Sequence, residues 1–294
     1  MTLFQHKRSH HTRLIVPLRP YPALLLKRSS ERVLVVADLH IGWEVRLAEQ
    51  GIYVPSQTPK LQEKMLQLIQ LCKPTSLLFL GDVKHAIAKV AMEEWRDIPN
   101  FFETLGKKVQ DIRIILGNHD GNLEPLLPQN VKILPSTGIA SGSVGLFHGH
   151  AWPSPNLLNC SNLITAHVHP TVTFRDPLGF RITRQVWVKA PCNNKKLVKA
   201  LLKHLNIKAD KNPVSSLQEH FKVKLRASQL FIMPSFNDFL GGQSINRKTL
   251  GKSGRSRAFI GPILRSKSVD IDNAEVHLLD GTFLGTVNHL RTLI

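Results

Sequence analysis

Cysteine is scarce in this chain, with only Cys72, Cys160 and Cys192 among 294 residues. They are odd in number, widely spaced and free of any Cys-x-x-Cys pair, which argues against a disulfide framework and against a thiolate zinc site and leaves them as reduced structural thiols. Long apolar runs are also missing. Stretches such as 23–26 and 77–80 fall far short of the roughly 20 residues that a bilayer crossing requires, so no transmembrane segment is expected. The basic start through Arg13 runs into Pro17, Arg19, Pro20 and Pro22 rather than a continuous apolar core. That pattern points to a cytoplasmic protein, with an organelle presequence as the alternative reading of the basic stretch.

Acidic residues are in short supply as well: 21 Asp and Glu stand against 39 Lys and Arg, a formal charge of +18. The excess is uneven, with +6 in residues 1–32, +2 in 33–194, +7 in 195–226 and +3 in 227–294. Basic charge gathered into separable segments suggests a polyanionic partner, nucleic acid or an anionic membrane surface, and says little about the fold. A 42% hydrophobic content over 294 residues is enough for a substantial core, in one large domain or two small ones.

Several short runs rich in Val, Leu and Ile each stop at a polar tip. Residues 33–37 stop at Asp38, 76–80 at Gly81-Asp82, 112–116 at Gly117-Asn118, 144–147 at His148 and 163–165 just before His167. Runs of this length and composition read as buried strands. Between them, 59–71 places Leu61, Met65, Leu68 and Ile69 at near-helical spacing, and 92–105 is a second helix candidate. Strand alternating with helix is the α/β pattern. Beyond His169, 171–175, a turn at 176–179 and 180–189 predict a β-hairpin. Residues 195–206 set Leu197, Leu201, Leu202 and Leu205 against Lys195, Lys199 and Lys203, as an amphipathic basic helix would. Residues 207–228 are mixed and basic, and 230–233 and 276–279 read as late strands. The Gly/Ser-rich stretch 241–257 carries Arg247, Lys248, Lys252, Arg255 and Arg257. There is no internal repeat.

One Asp-x-His such as Asp38-Leu39-His40 means little alone. At a strand end the two side chains point the same way and can share a metal, but a surface or capping pair is the commoner outcome, and the same holds for His167-Val168-His169. Five such elements occur in order, each where a predicted strand ends: Asp38-Leu39-His40, Gly81-Asp82, Gly117-Asn118-His119-Asp120, His148-Gly149-His150 and His167-Val168-His169. Strand ends are where α/β folds assemble sites. Over about residues 30 to 170 this order resembles the calcineurin-like metallophosphoesterases, with Ala166 standing where that family usually has Gly. It is more similar still to the ICC-like branch, which includes phosphoesterases encoded beside DNA ligases. The residues that carry this closer resemblance are 38–44, 81–85, His167-Val168-His169-Pro170, Pro234-Ser235-Phe236 with Gly241-Gly242, and 279–285.

The resemblance implies an α/β fold: a two-sheet metallophosphoesterase sandwich of α/β/β/α layers, with C-terminal strands and a basic helical insertion. The expected divisions are a basic N-terminal arm with the first strands (1–32), the catalytic core (33–192), the basic helical insertion (193–229) and C-terminal strands completing or capping the core (230–294). It also implies a dinuclear centre. Asp38, His40, Asp82 and His169 would hold one ion, and Asp82, Asn118, His148 and His167 the other, with Asp82 bridging. The family's lone histidine lies at the strand end, so the resemblance implies His148 rather than His150 as ligand and leaves His150 to support the site or touch substrate. His119 corresponds to the family's non-ligand catalytic histidine, with Asp120 orienting its loop; the bland alternative is a structural histidine. Lys84 and His85 would either touch substrate phosphate or begin an exposed loop. Trp43 and Phe236 could stack on a base, although such residues are more often core.

Carboxylate, amide and imidazole ligands without thiolate suit two divalent transition metals, manganese first, with iron, zinc or cobalt as alternatives. Two such ions balanced by Asp38, Asp82 and a bridging hydroxide keep about one positive charge, which favours anionic phosphate esters. The expected reaction is phosphodiester hydrolysis by metal-bound hydroxide. Nucleic acid is the expected substrate, in a DNA-repair setting, because the basic segments supply phosphate contacts. A small phosphorylated metabolite or cyclic nucleotide is the alternative. A nucleic-acid or membrane-surface binding protein with a vestigial site is the third reading; the complete ligand set argues against it. A basic amphipathic helix keeps peripheral membrane contact open, although a buried helix with a solvated lysine face is the commoner case.

Overall fold

The computed structural model describes residues 14–28, 30–209, 211–247 and 260–293. The basic arm residues Lys7, Arg8 and Arg13, and Lys248, Lys252, Arg255 and Arg257 of the Gly/Ser stretch, lie outside the described residues. The chain divides into an N-terminal unit, residues 14–136 with 235–239, and a C-terminal unit, residues 137–234 with 240–293.

The N-terminal unit is built on one six-stranded sheet. Strands β1 (Ile15–Pro17), β2 (Leu24–Arg28) and β3 (Glu31–Val36) run antiparallel, and β3, β4 (Ser76–Leu80), β5 (Asp111–Ile115) and β6 (Val131–Leu134) run parallel, in the order β1-β2-β3-β4-β5-β6. Every residue of β4 is buried, which is why its sequence is a continuous apolar run rather than an alternating one. Parallel pairing delivers the carboxyl ends of β3, β4 and β5 to the same edge, in a register that places Val36 beside Phe79 and Leu80 beside Ile115.

A short helix, α1 (Trp43–Ala48), follows the first tip, and α2 (Thr58–Cys72) and α3 (Met92–Gly106) are the crossovers. Helix α2 buries Leu61, Met65, Leu68 and Ile69, the stripe its spacing predicts. It stops at Lys73, which takes a left-handed conformation and donates its amide to the Ile69 carbonyl (2.8 Å). From α3, Phe101 and Phe102 meet Phe79 of β4 at ring-centroid distances of 6.2 and 5.1 Å, edge to face. Such pairs each contribute about 0.5–1.5 kcal/mol beyond simple burial.

The C-terminal unit carries a nine-stranded sheet. It contains β7 (Ile139–Ser141), β8 (Val144–Leu146), β9 (Asn162–Thr165), β10 (Pro170–Arg175), β11 (Arg181–Pro191), β12 (Gln229–Ile232), β13 (Gln243–Ser244), β14 (Glu275–Leu278) and β15 (Phe283–Thr286). The main order is β13-β10-β11-β12-β9-β8-β7, and β14 and β15 add on through β11. Strands β8, β9 and β12 are mutually parallel, so the ends of β8 and β9 again share an edge. The predicted hairpin is β10 and β11, closed by the Asp176 carboxylate accepting from the amides of Leu178 and Phe180.

Helix α4 (Asn194–His204) starts at Asn193, whose side chain accepts from the Lys196 amide (3.1 Å). It buries Leu197, Val198, Leu201 and Leu202 and leaves Lys195, Lys199 and Lys203 exposed. Leu205, expected on the apolar face, lies past the end of the helix and is exposed, because the helix stops at His204, two residues short of the predicted stretch. Helices α5 (Pro213–Phe221), α6 (Pro262–Arg265) and α7 (Val287–Arg291) complete the unit. The result is the mixed α/β architecture with two sheets and several helices that the family's sandwich fold requires. No helix among the described residues is long and apolar enough to cross a membrane.

Candidate functional site

In the N-terminal unit the tips after β3 and β4 continue to pair beyond the sheet. The amides of Asp38, His40 and Ile41 donate to the carbonyls of Gly81, Asp82 and Val83 at 3.1, 2.9 and 2.8 Å. Asp38, His40 and Asp82 all take left-handed backbone conformations, with φ of 56°, 46° and 51°. In the C-terminal unit His167 and His169 do the same, at 70° and 47°. These five are half of the ten non-glycine residues with positive φ among the described residues. Asp and His tolerate this region better than most residues, but each instance still costs about 1–3 kcal/mol and persists only where the surroundings impose it.

The carboxylate of Asp82 is 2% exposed, accepts from the His119 amide (2.9 Å) and lies 3.5 Å from Nε2 of His40. Gly117 makes this possible: a Cβ there would stand 2.1 Å from Asp82 Oδ1. Next to Gly117, the buried Oδ1 of Asn118 has no hydrogen-bond partner among the described residues. The His119 ring is half-buried, with Nδ1 against the His85 carbonyl and the ring edge-on to His40 at 4.6 Å. His85 faces His40 with the two Nδ1 atoms 3.2 Å apart. His40, His85 and His119 thus bring one ring nitrogen each within 4.8 Å of one another, a grouping able to hold an ion.

Asp120 is buried, and its carboxylate is spent on backbone. Oδ2 accepts from the amides of Asp82 (2.8 Å) and Gly117 (2.7 Å), and Oδ1 accepts from those of Val83 (2.8 Å) and Lys84 (3.3 Å). These bonds tie the β4 and β5 tips to each other.

Lys84, expected either to touch substrate phosphate or to begin an exposed loop, does not begin an exposed loop. It is fully buried and its ammonium donates to the Ala86 carbonyl. Burial pushes its pKa below the ordinary lysine range, while the nearby carboxylates of Glu94, Asp120 and Asp82 oppose that shift. Phe236 is likewise core of the N-terminal unit. Trp43 stacks on the exposed Phe239 at 5.9 Å, with Lys60 over the other ring at 5.1 Å.

Two positioning residues escaped the sequence reading. Glu94, at the third position of α3, accepts from the amides of His85 (2.9 Å) and Ala86 (2.8 Å) through Oε1 and from that of Ala91 (2.9 Å) through Oε2. Asn237 donates its side-chain amide to the Leu39 carbonyl (2.9 Å), and the Phe236 amide donates to the Ala37 carbonyl (2.7 Å), so 235–239 clamps the Asp38 tip. The available signals were an acid in the first turn of a predicted helix and the Pro234-Ser235-Phe236 run.

In the C-terminal unit His148 is fully buried at the end of β8. Its carbonyl accepts from the Thr165 hydroxyl (2.9 Å) and the Ala166 amide (2.8 Å), which ties the β8 tip to the β9 tip. The His148 ring lies 5.1 Å from that of His167 and 5.2 Å from that of His150, so all three histidines gather there. His169 has Nδ1 3.3 Å from the Gly241 carbonyl, a contact that restrains the ring. A Cβ on Gly242 would meet the His169 carbonyl at 2.0 Å, and one on Gly149 would meet the Thr165 hydroxyl at 2.4 Å. Ala166, by contrast, is accommodated without a positive φ.

The family model for calcineurin-like phosphoesterases matches residues 31–232. Among solved structures, the Pseudomonas putida nuclease MPE is similar at 17% identity, with 88% of this chain and 89% of that one covered and a TM-score of 0.46. The E. coli phosphoesterase YfcE is similar at 20% identity, with 49% of this chain and 73% of that one covered and a TM-score of 0.32. No curated protein matches the chain in sequence. The family uses divalent metals, and a match over more than half of the chain is decisive: this protein belongs to the calcineurin-like phosphoesterases and is a metal-dependent phosphoesterase.

Proposed function

We propose that the protein hydrolyses phosphodiester bonds in nucleic acid at a dinuclear centre. Asp38, His40, Asp82 and His169 hold one ion, Asp82, Asn118, His148 and His167 hold the other, and manganese is the expected metal. The observation that carries this reading is the backbone: five of these seven residues sit in left-handed conformations that local energetics disfavour. Ligation by a cation is a way to offset that cost. Asn118 adds a buried amide oxygen with no partner among the described residues, a donor atom suited to a hard or borderline ion.

Held by these residues, two divalent ions would supply a water acidic enough to ionise near neutral pH, pKa ~7, and positive charge for the phosphoryl group. The remaining work falls to the chain. The Asp82 carboxylate, fixed by the His119 amide, keeps the ligand set and the catalytic loop in register. His119 holds its Nδ1 proton against the His85 carbonyl and so presents Nε2, when protonated, to the departing oxygen. General-acid help of this kind contributes about 10²–10⁴ in rate. Asp120 and Glu94 keep the loops that carry these groups from moving apart. The formal charge of +18 favours a polyanionic substrate over a neutral one.

The test crosses Mn, Fe, Zn and Co with bis-aryl phosphate, aryl monophosphate, cyclic nucleotides, and single- and double-stranded DNA and RNA. Metal-stimulated cleavage of bis-aryl phosphate and of a polynucleotide is expected. Turnover confined to cyclic nucleotides or monoesters would move the assignment to a small-molecule phosphoesterase, and activity indifferent to chelator would overturn the metal centre.

A further inference from the structure

A cavity of about 820 Å³ opens in the C-terminal unit, lined by α4, β13, α6 and α7 together with the segment that follows α6. Its cations are Lys196, Arg247, Arg265, Lys267 and Arg291. Arg291 is neutralised by an ion pair with Asp272, and the other acid in the wall, Asp270, accepts from the side-chain amide of Asn273 (2.8 Å). Lys196, Arg247, Arg265 and Lys267 are exposed and have no ion pair among the described residues. Like charges around one opening repel one another unless a polyanion joins them. The amino end of the eleven-residue α4, at Asn193, also lines the cavity and adds partial positive charge.

A wall strand of the cavity is hydrogen-bonded to one of the site tips in this unit. Strand β13, which forms its wall at Gln243 and Ser244, pairs with β10 at Pro170 and Thr171, and the Gln243 amide donates to the His169 carbonyl (3.1 Å). A chain-like phosphate ester engaged at His169 therefore has a positively charged continuation one strand away.

Two features narrow the ligand. Among the described residues no aromatic side chain lines the cavity, so the contacts fall on the phosphates rather than on stacked bases. The apolar wall of Leu264, Val269 and Ile271 offers cover for sugar rings, which an inorganic phosphate does not need. A space of this size admits a few nucleotides of one strand and not a duplex.

We propose that this cavity binds the phosphodiester backbone of single-stranded nucleic acid, without sequence preference, next to the scissile bond. The inference rests on the phosphoesterase reading of the His167 and His169 tip.

The test is the fluorescence anisotropy of a labelled, phosphorothioate-linked single-stranded oligonucleotide with the metal-loaded full chain, titrated across salt concentration. For single strands each phosphate contact contributes about −0.7 to the log-log salt slope, so a K196Q/R247Q/R265Q/K267Q variant should flatten it by roughly 2.8 and bind at least about tenfold more weakly at ~0.1 M salt. A variant that removes the same charge from the N-terminal unit, K27Q/K107Q/K108Q/K132Q, should keep the parent slope. An unchanged slope in the cavity variant, an equal loss in the control variant, or an equal loss of duplex binding overturns the proposal. Hydrolysis of bis-aryl phosphate by the parent chain separates the two levels. If it is present while the cavity test fails, only this inference falls; if the parent hydrolyses no phosphoester, the reading of the tip falls.

Discussion

In the N-terminal unit the tips after β3, β4 and β5 are tied by buried polar side chains, with Asp120 accepting from four backbone amides, Glu94 from three and Asn237 donating to the Asp38 tip. In the C-terminal unit the tips after β8 and β9 are shaped by close glycine approaches, to backbone at Gly242 and Gly261 and to the Thr165 hydroxyl at Gly149. A side-chain staple fails when it is shortened, because buried amides lose their acceptor. A glycine approach fails when it is enlarged, because a methyl group has nowhere to go. Apart from Gly117, a glycine approach within the N-terminal tips, the two tip sets should therefore respond to opposite kinds of substitution.

The largest effect is expected from Asp120→Ala, which strands the amides of Asp82, Val83, Lys84 and Gly117. A buried donor without a partner costs about 1–3 kcal/mol, and since such costs do not add in full, a loss of about 4 kcal/mol in urea unfolding is expected. Asp120→Asn keeps one accepting oxygen and should lose about half as much. An Asp120→Ala protein as stable as the parent would dissolve the contrast between the units.

Next comes a pair of neighbouring glycines. Gly242→Ala places its Cβ 2.0 Å from the His169 carbonyl, whereas a Cβ on Gly241 meets nothing within 4 Å. Gly242→Ala should cost about 2 kcal/mol and weaken metal binding in calorimetric titration, and Gly241→Ala should stay within about 0.5 kcal/mol. Equal responses at the two positions would mean that the backbone approach does not shape the His169 tip.

The smallest effect concerns pH. Burial holds His277, in β14, below its ordinary value of 6.5, even though Glu275 pulls the other way and the Lys189 ammonium adds to the depression. The unfolded chain then takes up a proton at a higher pH than the folded one, so this contribution is present in full above 6.5 and is lost as pH falls toward the folded value. His277→Gln should make the melting temperature less sensitive to acidification across that window. An unchanged pH dependence would remove His277 from the stability of the unit.

The parts of this molecule that were legible in sequence share a cause. The run that became β4 and the stripes of α2 and α4 are set by burial, which sequence periodicity records directly. The two-residue β13, the three-residue β7 and the short α1 were not legible, because elements this brief are imposed by their neighbours. Nor could local pattern show that β12 pairs with β9, more than sixty residues earlier.

At the site, the ordered Asp, Asn and His tips were visible as spacing. The left-handed backbones of Asp38, His40, Asp82, His167 and His169, the four amides on Asp120 and the clamp at Asn237 were not, since each depends on groups distant in sequence. Lys84 illustrates the limit. A cation two residues past an aspartate expected to hold metal suggests a phosphate contact, but only the fold reveals that it is buried near Asp82, Glu94 and Asp120.

The central claim is that Asp82 is shared by two ions while His169 serves one. Metal content of the purified chain, measured by mass spectrometry alongside activity on bis-aryl phosphate, tests it most directly. The account predicts about two ions per parent chain, loss of both with activity in Asp82→Asn, and retention of about one in His169→Ala. An active, metal-free parent chain, or an Asp82→Asn protein that keeps both ions, would contradict it.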